Sequence, residues 1–219
     1  MCMKKIILMI CLAALVFGCK NSQGNTEKVD NQPEQQDTTK AVSEEEQLKA
    51  IGNINFFISE KDFKAEKEIF LKSVHNPKSD EEFSSAQEYC LGDYEFLRLD
   101  GDFDNDSLFF VSLVGLVFSD KYTPMFGNQY RNLLELLTAK YGRPLVHAKL
   151  PSEAQMISSK DVILAWWQLG AKNIVIHGYY ENGTYLVNLE SFRKDIVDKR
   201  ARKRSVEHIK STVQDLDKI

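Results

Sequence analysis

The stretch that decides the fold runs Val162-Ile163-Leu164-Ala165-Trp166-Trp167-Gln168-Leu169, then Asn173-Ile174-Val175-Ile176-His177-Gly178-Tyr179-Tyr180, then Asn182-Gly183, then Tyr185-Leu186-Val187-Asn188-Leu189. Each run is short, apolar and rich in β-branched and aromatic residues, which suit a pleated, half-buried surface. Asn-Gly between the last two runs supplies the two left-handed positions of a type I′ turn. The stretch predicts a three-strand antiparallel meander.

Working outward, the residues before the meander predict a helix over 126–141. Tyr130, Leu133, Leu134, Leu137 and Tyr141 recur at helical spacing, Gly142 stands at C′ and Pro144 stops continuation. Further upstream, Tyr94–Leu99 and Leu108–Phe118 read as strands. The second is almost continuously apolar, as a central strand would be. Asp100–Asp106 joins them as a hairpin turn. Ile51–Ile58 reads as an opening strand. Ser59 and Asp62 then resemble a capping box before a helix over 60–74, which Asn76-Pro77 ends. Phe192–Leu216 is helical by composition. No internal repeat is visible. The fold expected is α+β: an antiparallel sheet of about five or six strands packed by two helices, plus a C-terminal helix.

Lys140-Tyr141-Gly142-Arg143-Pro144 at a helix end, a Trp-bearing strand and an Asn-Gly hairpin resemble the small uncharacterised α+β domains of bacterial envelope lipoproteins. The resemblance covers residues ~94–190. Its motifs are a cap, a stop and a turn, so it implies a fold type and no activity.

The N-terminus carries an address. Met1-Cys2-Met3 precedes Lys4-Lys5 and an apolar run from Ile6 to Phe17, with Met1 or Met3 as the start. That run is too short to span ~30 Å of hydrocarbon as a helix and reads as an export signal. Leu15-Val16-Phe17-Gly18-Cys19 resembles the lipobox of bacterial lipoproteins, with an aliphatic residue three before the cysteine and a small one immediately before it. Phe17 departs from the smaller residue usual there. The resemblance implies cleavage after residue 18, acylation of Cys19 and anchorage to membrane lipid, which several acyl chains make stable. No Asp follows Cys19 at the next position and no acidic run follows it. By the same resemblance, the outer membrane is favoured and, of its faces, the periplasmic one.

Residues 19–47 are polar, with few apolar members, and cannot bury enough surface to offset chain entropy. They are expected to form a tether between lipid and a single α+β domain over 48–219.

Composition narrows the function classes. Hydrophobic residues make up 43%, enough for a core, and the net charge of −4 argues against a nucleic-acid footprint. Cys2, Cys11 and Cys19 precede the fold, which leaves Cys90 alone and favours no intramolecular disulfide. It reads as a small hydrophobe ahead of a nucleophile.

Four constellations carry possible chemistry. Asp100, Asp102, Asp104 and Asp106 alternate as oxygen ligands of a hard cation do. In the EF-hand frames, Asn105 or Ser107 replaces the required Gly and Val111 or Leu113 the bidentate Glu, so a solvated hairpin tip is the favoured reading. His75, His147, His177 and His208 form no HxxH or Cys/His cluster. Arg200, Arg202, Lys203 and Arg204 make a basic patch, either a solvated helical face or a site for anionic head groups or an acidic partner. Trp166, Trp167, Tyr179 and Tyr185 are a candidate binding surface, although adjacent strand residues face opposite ways, so one Trp is expected in the core.

No nucleophile elbow, P-loop or dinucleotide fingerprint is present. No cofactor and no catalytic residue is assigned. The expected function is that of a non-enzymatic binding or assembly module of the cell envelope. The alternative is a hydrolase or metal-dependent enzyme acting on envelope polymers. Cys19→Ala is expected to abolish incorporation of labelled lipid. A variant that still partitions with membranes would place the anchor elsewhere.

Overall fold

A computed structural model describes residues 42–75, 89–119 and 122–216, with the side chains of 122–123 and 206–216 left aside. The lipobox, the signal run and all but the last residues of the expected tether lie outside these. The chain divides into two compact units. One spans residues 38–199 and contains the sheet. The other comprises 1–37 and 200–219, of which residues 200–216 are described, as the later part of a helix.

The fold is α+β. Helix α1 (Glu44–Leu48) leads into strands β1 (Lys49–Ile51) and β2 (Ile54–Asn55), a separate two-stranded sheet. Helix α2 (Glu60–Ser73) is followed by β3 (Tyr89–Leu91), β4 (Tyr94–Asp104) and β5 (Ser107–Gly115). A single π turn (Tyr122–Phe126) opens α3 (Gly127–Tyr141). Then come β6 (Val146–His147), α4 (Glu153–Ser159), β7 (Asp161–Leu169), β8 (Lys172–Glu181), β9 (Thr184–Arg193) and α5 (Lys194–Leu216). The main sheet has seven strands in the order β3-β4-β5-β9-β8-β7-β6, every neighbouring pair antiparallel.

The meander, both predicted packing helices and the type I′ turn at Asn182-Gly183, where φ is 52° and 81°, form as read. Four readings are corrected. Ile51–Ile58 is no single strand, because Gly52-Asn53 folds it into the β1–β2 hairpin, with Gly52 at φ 54°. Asp100, Asp102 and Asp104 belong to β4, and only Asn105-Asp106 turns, with φ of 51° and 61°. The sheet gains β3 and β6, too short to show a period. Glu44–Leu48, assigned to the tether by composition, is a helix capped by Ser43.

The sheet order shows a duplication that the linear chain conceals. A helix followed by three strands occurs twice, α2 with β3-β4-β5 and α3 with β7-β8-β9, and β5 meets β9 at the centre. Aligning the hairpin tips sets Gly101-Asp102-Phe103-Asp104-Asn105-Asp106-Ser107 on Gly178-Tyr179-Tyr180-Glu181-Asn182-Gly183-Thr184. The two glycines have one job. A Cβ on Gly101 would lie 2.8 Å from the Phe63 ring in the first turn of α2, and one on Gly178 would lie 2.7 Å from the Phe126 ring that opens α3. Each middle strand thus admits a phenyl ring that fixes its helix.

Helices and sheet enclose one apolar cluster that includes Phe63, Phe96, Leu113, Leu133, Trp167 and Ile176. Trp167 is fully buried and its indole N–H donates to the Gly142 carbonyl at 2.9 Å. The motif at the end of α3 is therefore a helix stop secured by a core tryptophan. Asp106 has a comparable role, since its Oδ1 accepts from the Glu60 N–H at 2.9 Å and caps α2 beside Ser59. The join between halves is tightest at Gly115, where a Cβ would stand 2.1 Å from the Val187 carbonyl oxygen.

Gly101→Ala and Gly178→Ala are each expected to lower stability by ~1–3 kcal/mol through overpacking. Gly115→Ala should cost more than either, because backbone cannot swing aside as a ring can. Urea midpoints at unchanged slope measure this. Wild-type midpoints in all three would refute the account.

Candidate functional site

The alternation of β8 sorts its side chains. Ile174, Ile176 and Tyr180 face the helices, while Asn173, Val175, His177 and Tyr179 occupy the opposite face. Cross-strand register brings Ile163 of β7 beside His177 and Asp161 beside Tyr179. It places Glu190 of β9 opposite Val175, diagonal to His177 on the same face.

These residues form a closed polar network. His177 Nδ1 lies 2.8 Å from Tyr179 Oη, 3.2 Å from Glu190 Oε2 and 4.0 Å from Asp161 Oδ1. Tyr179 Oη donates to Glu190 Oε1 at 2.8 Å. With its proton committed there, the hydroxyl accepts from His177, which assigns a proton to Nδ1. His177 and Glu190 are buried, and the Asp161 side chain is 32% exposed at the outer end. The His177 and Tyr179 rings meet edge-on at 5.4 Å.

Burial opposes the His177 imidazolium, but its hydrogen bond to Glu190 and the charges of Glu190 and Asp161 outweigh that and raise its pKa above 6.5. Burial raises the Asp161 carboxyl, which His177 opposes and Glu190 reinforces. Burial, followed by both carboxylates, pushes the Tyr179 phenol up as well. The Tyr179 hydroxyl is engaged on both sides, donating to Glu190 and accepting from His177.

An apolar strip borders the network. Ile163 is 41% exposed, Val146 on β6 is 39% exposed, and Val146 pairs directly with Trp166. Trp166 is half-buried, its indole N–H held at 2.8 Å by Asn173 Oδ1.

The structure divides the expected aromatic surface. Trp166 and Tyr179 lie on this outer face. Trp167 and Tyr185 are in the core, where Tyr185 donates to Glu153 Oε1 at 2.6 Å. The four do not form one surface. Asp100, Asp102, Asp104 and Asp106 are not drawn together as a cation site: Arg98 holds Asp100 at 2.8 Å, Asp102 accepts from the Phe103 N–H, and Asp106 caps α2. Among the described residues no three His, Cys, Asp or Glu side chains are placed to hold a metal ion. Cys90 is half-buried on β3. Arg202, Lys203 and Arg204 are exposed on α5 and Arg200 is half-buried, all within the second unit.

Asp161, His177 and Glu190 were not singled out as a set from the sequence. One signal was available. A histidine inside an apolar strand needs a partner, and the Asn182-Gly183 turn sets a register that brings Glu190 diagonal to it.

The sign of the His177 pairing follows from its raised pKa. Its stabilisation is complete below 6.5, the ordinary imidazole value, and is lost as pH rises through the higher folded value. Asp161 acts with the same sign in a lower window that opens at 3.8. The urea midpoint should therefore fall as pH rises from 6.5, and His177→Gln should flatten that fall. A wild-type midpoint constant across the window would contradict the pairing.

No protein-family model, curated protein or solved structure matches the chain.

Proposed function

We propose that this chain is a lipid-anchored lipoprotein of the bacterial cell envelope, held through acylated Cys19, whose sheet is a non-enzymatic binding or assembly surface. The lipobox resemblance carries the address, with the outer membrane and its periplasmic face favoured. Among the described residues no helix is long and apolar enough to cross a membrane. A single observation carries the binding role. Exposed Ile163 and Val146, with Trp166 between β6 and β8, border a network of fixed carboxylates on one sheet face. Apolar contact supplies affinity and the fixed charges supply orientation, the usual division of labour at an interface. The partner is a protein or polymer of the envelope, and nucleic acid has no part in this reading.

Photo-crosslinking from position 163 or 166 in intact cells tests the surface. A discrete adduct with an envelope component is expected. It should be lost, with melting unchanged, in a Val146→Asp/Ile163→Asp variant. Adducts that survive this variant, or that arise only from probes at residues 200–204, would move the surface to α5 and refute the reading.

A further inference from the structure

Helix α1 buries none of its own residues, yet three donors from two other elements converge on its one acidic anchor. Lys140 Nζ and Tyr141 Oη, at the end of α3, each lie 2.7 Å from Glu46 Oε1. Lys172 Nζ, at the start of β8, lies 3.6 Å from the same oxygen and 3.4 Å from the Glu46 carbonyl oxygen and from Tyr141 Oη. The Lys172 side chain is 2% exposed, while that of Glu46 is 19% exposed. Gly170, at φ 64°, leaves room for the end of the Gln47 side chain of α1.

The contributions are unequal. The cations and the phenol belong to α3 and β8, whose positions the core already determines. The carboxylate arrives on a five-residue helix that buries none of its own residues, held between Val42 and Ala50, which pack on the core. Glu45 is engaged with Lys49 at 2.9 Å. Without Glu46, Lys140 and the buried Lys172 would share a space with no counter-charge, where burial works against the Lys172 ammonium and an entering carboxylate would restore it. Burial disfavours the Lys172 ammonium and lowers its pKa to about 8 even with Glu46 beside it.

We propose that Lys140, Tyr141 and Lys172 form a carboxylate-binding site that Glu46 occupies in cis, with α1 as the strap across it. The ligand class is a carboxylate, and the site is separate from the sheet face described above.

Chemical rescue tests this on the full chain in detergent. Glu46→Ala should melt below wild type and regain at least half of the loss, saturably, as sodium acetate replaces sodium chloride at constant ionic strength. Wild type and Glu46→Ala/Lys172→Met should not respond. A Glu46→Ala response equal in chloride and acetate, or an equal response from the double variant, would overturn the site. Should Glu46→Ala not fold, Glu46→Gln removes the charge without the volume. Lys172 in that variant should react faster with acetic anhydride than in wild type, with acetate slowing it. Modification unaffected by acetate would refute the proposal.

Discussion

The closeness of β5 and β9 governs the architecture. These two strands join the halves of the main sheet, paired over Phe110–Leu113 and Leu189–Phe192, with a further bridge between Phe118 and Tyr185. Beyond that pairing Gly115 approaches the Val187 carbonyl too closely for any side chain. The hydroxyl of Tyr94, a residue with no exposed surface, donates to the same Val187 carbonyl at 2.9 Å and lies 3.2 Å from that of Leu113. One buried phenol therefore sits between backbone carbonyls of both central strands, its single proton directed to that of Val187.

The duplication follows from that seam. Each half brings a helix and three strands, and each solves helix-on-sheet packing the same way, with a glycine in its middle strand opposite a phenylalanine at its helix start. The halves differ where β6 and α4 are inserted. The capping box of Ser152 and Gln155 starts α4, and Met156 reaches the core from it. This inserted segment creates the β6 edge and with it the exposed position of Val146. The candidate surface therefore lies on the half that departs from the simpler plan.

Local signals were legible in the sequence because their physics is local. Alternation in β7 to β9, the 3.6-residue stripe of α3, the Ser59 cap and the Asn182-Gly183 turn each act within a few residues. The remainder depended on distance along the chain. Strands β3 and β6 are too short for a period and exist because β4 and β7 offer them a ladder. Asp100–Asp104 read as a turn because aspartate is a poor strand former, yet pairing with β5 overrides that preference. The duplication is faint in the sequence because a strand bulge between Asp102 and Phe103 shifts the register, and because little beyond the glycine, the turn and the Phe103–Tyr180 aromatic position matches. For the site, alternation separated Trp166 from Trp167. Assembly of Asp161, His177 and Glu190 needed three strands in register at once.

The two buried charge clusters are opposite in kind, and the difference bears on what they do. On the sheet face one histidine sits among two carboxylates and a phenol, so negative charge is in excess. At the start of β8 one carboxylate sits among two ammonium groups and a phenol, so positive charge is in excess. The charged groups of both lie outside the apolar core, which closes around Trp167, Leu133 and Phe96 and takes in only the Tyr141 ring from the second. A buried ion pair rarely gains on a well-packed hydrophobic substitute, so stability alone does not account for either cluster. What each provides is orientation. The first holds its charges fixed and buried beside the exposed Ile163. The second fixes the point at which α1 joins the folded unit. Both clusters thus use the same device, a phenol bridging a buried charge to its counter-ion, and both draw on β8, one at its start and one toward its end.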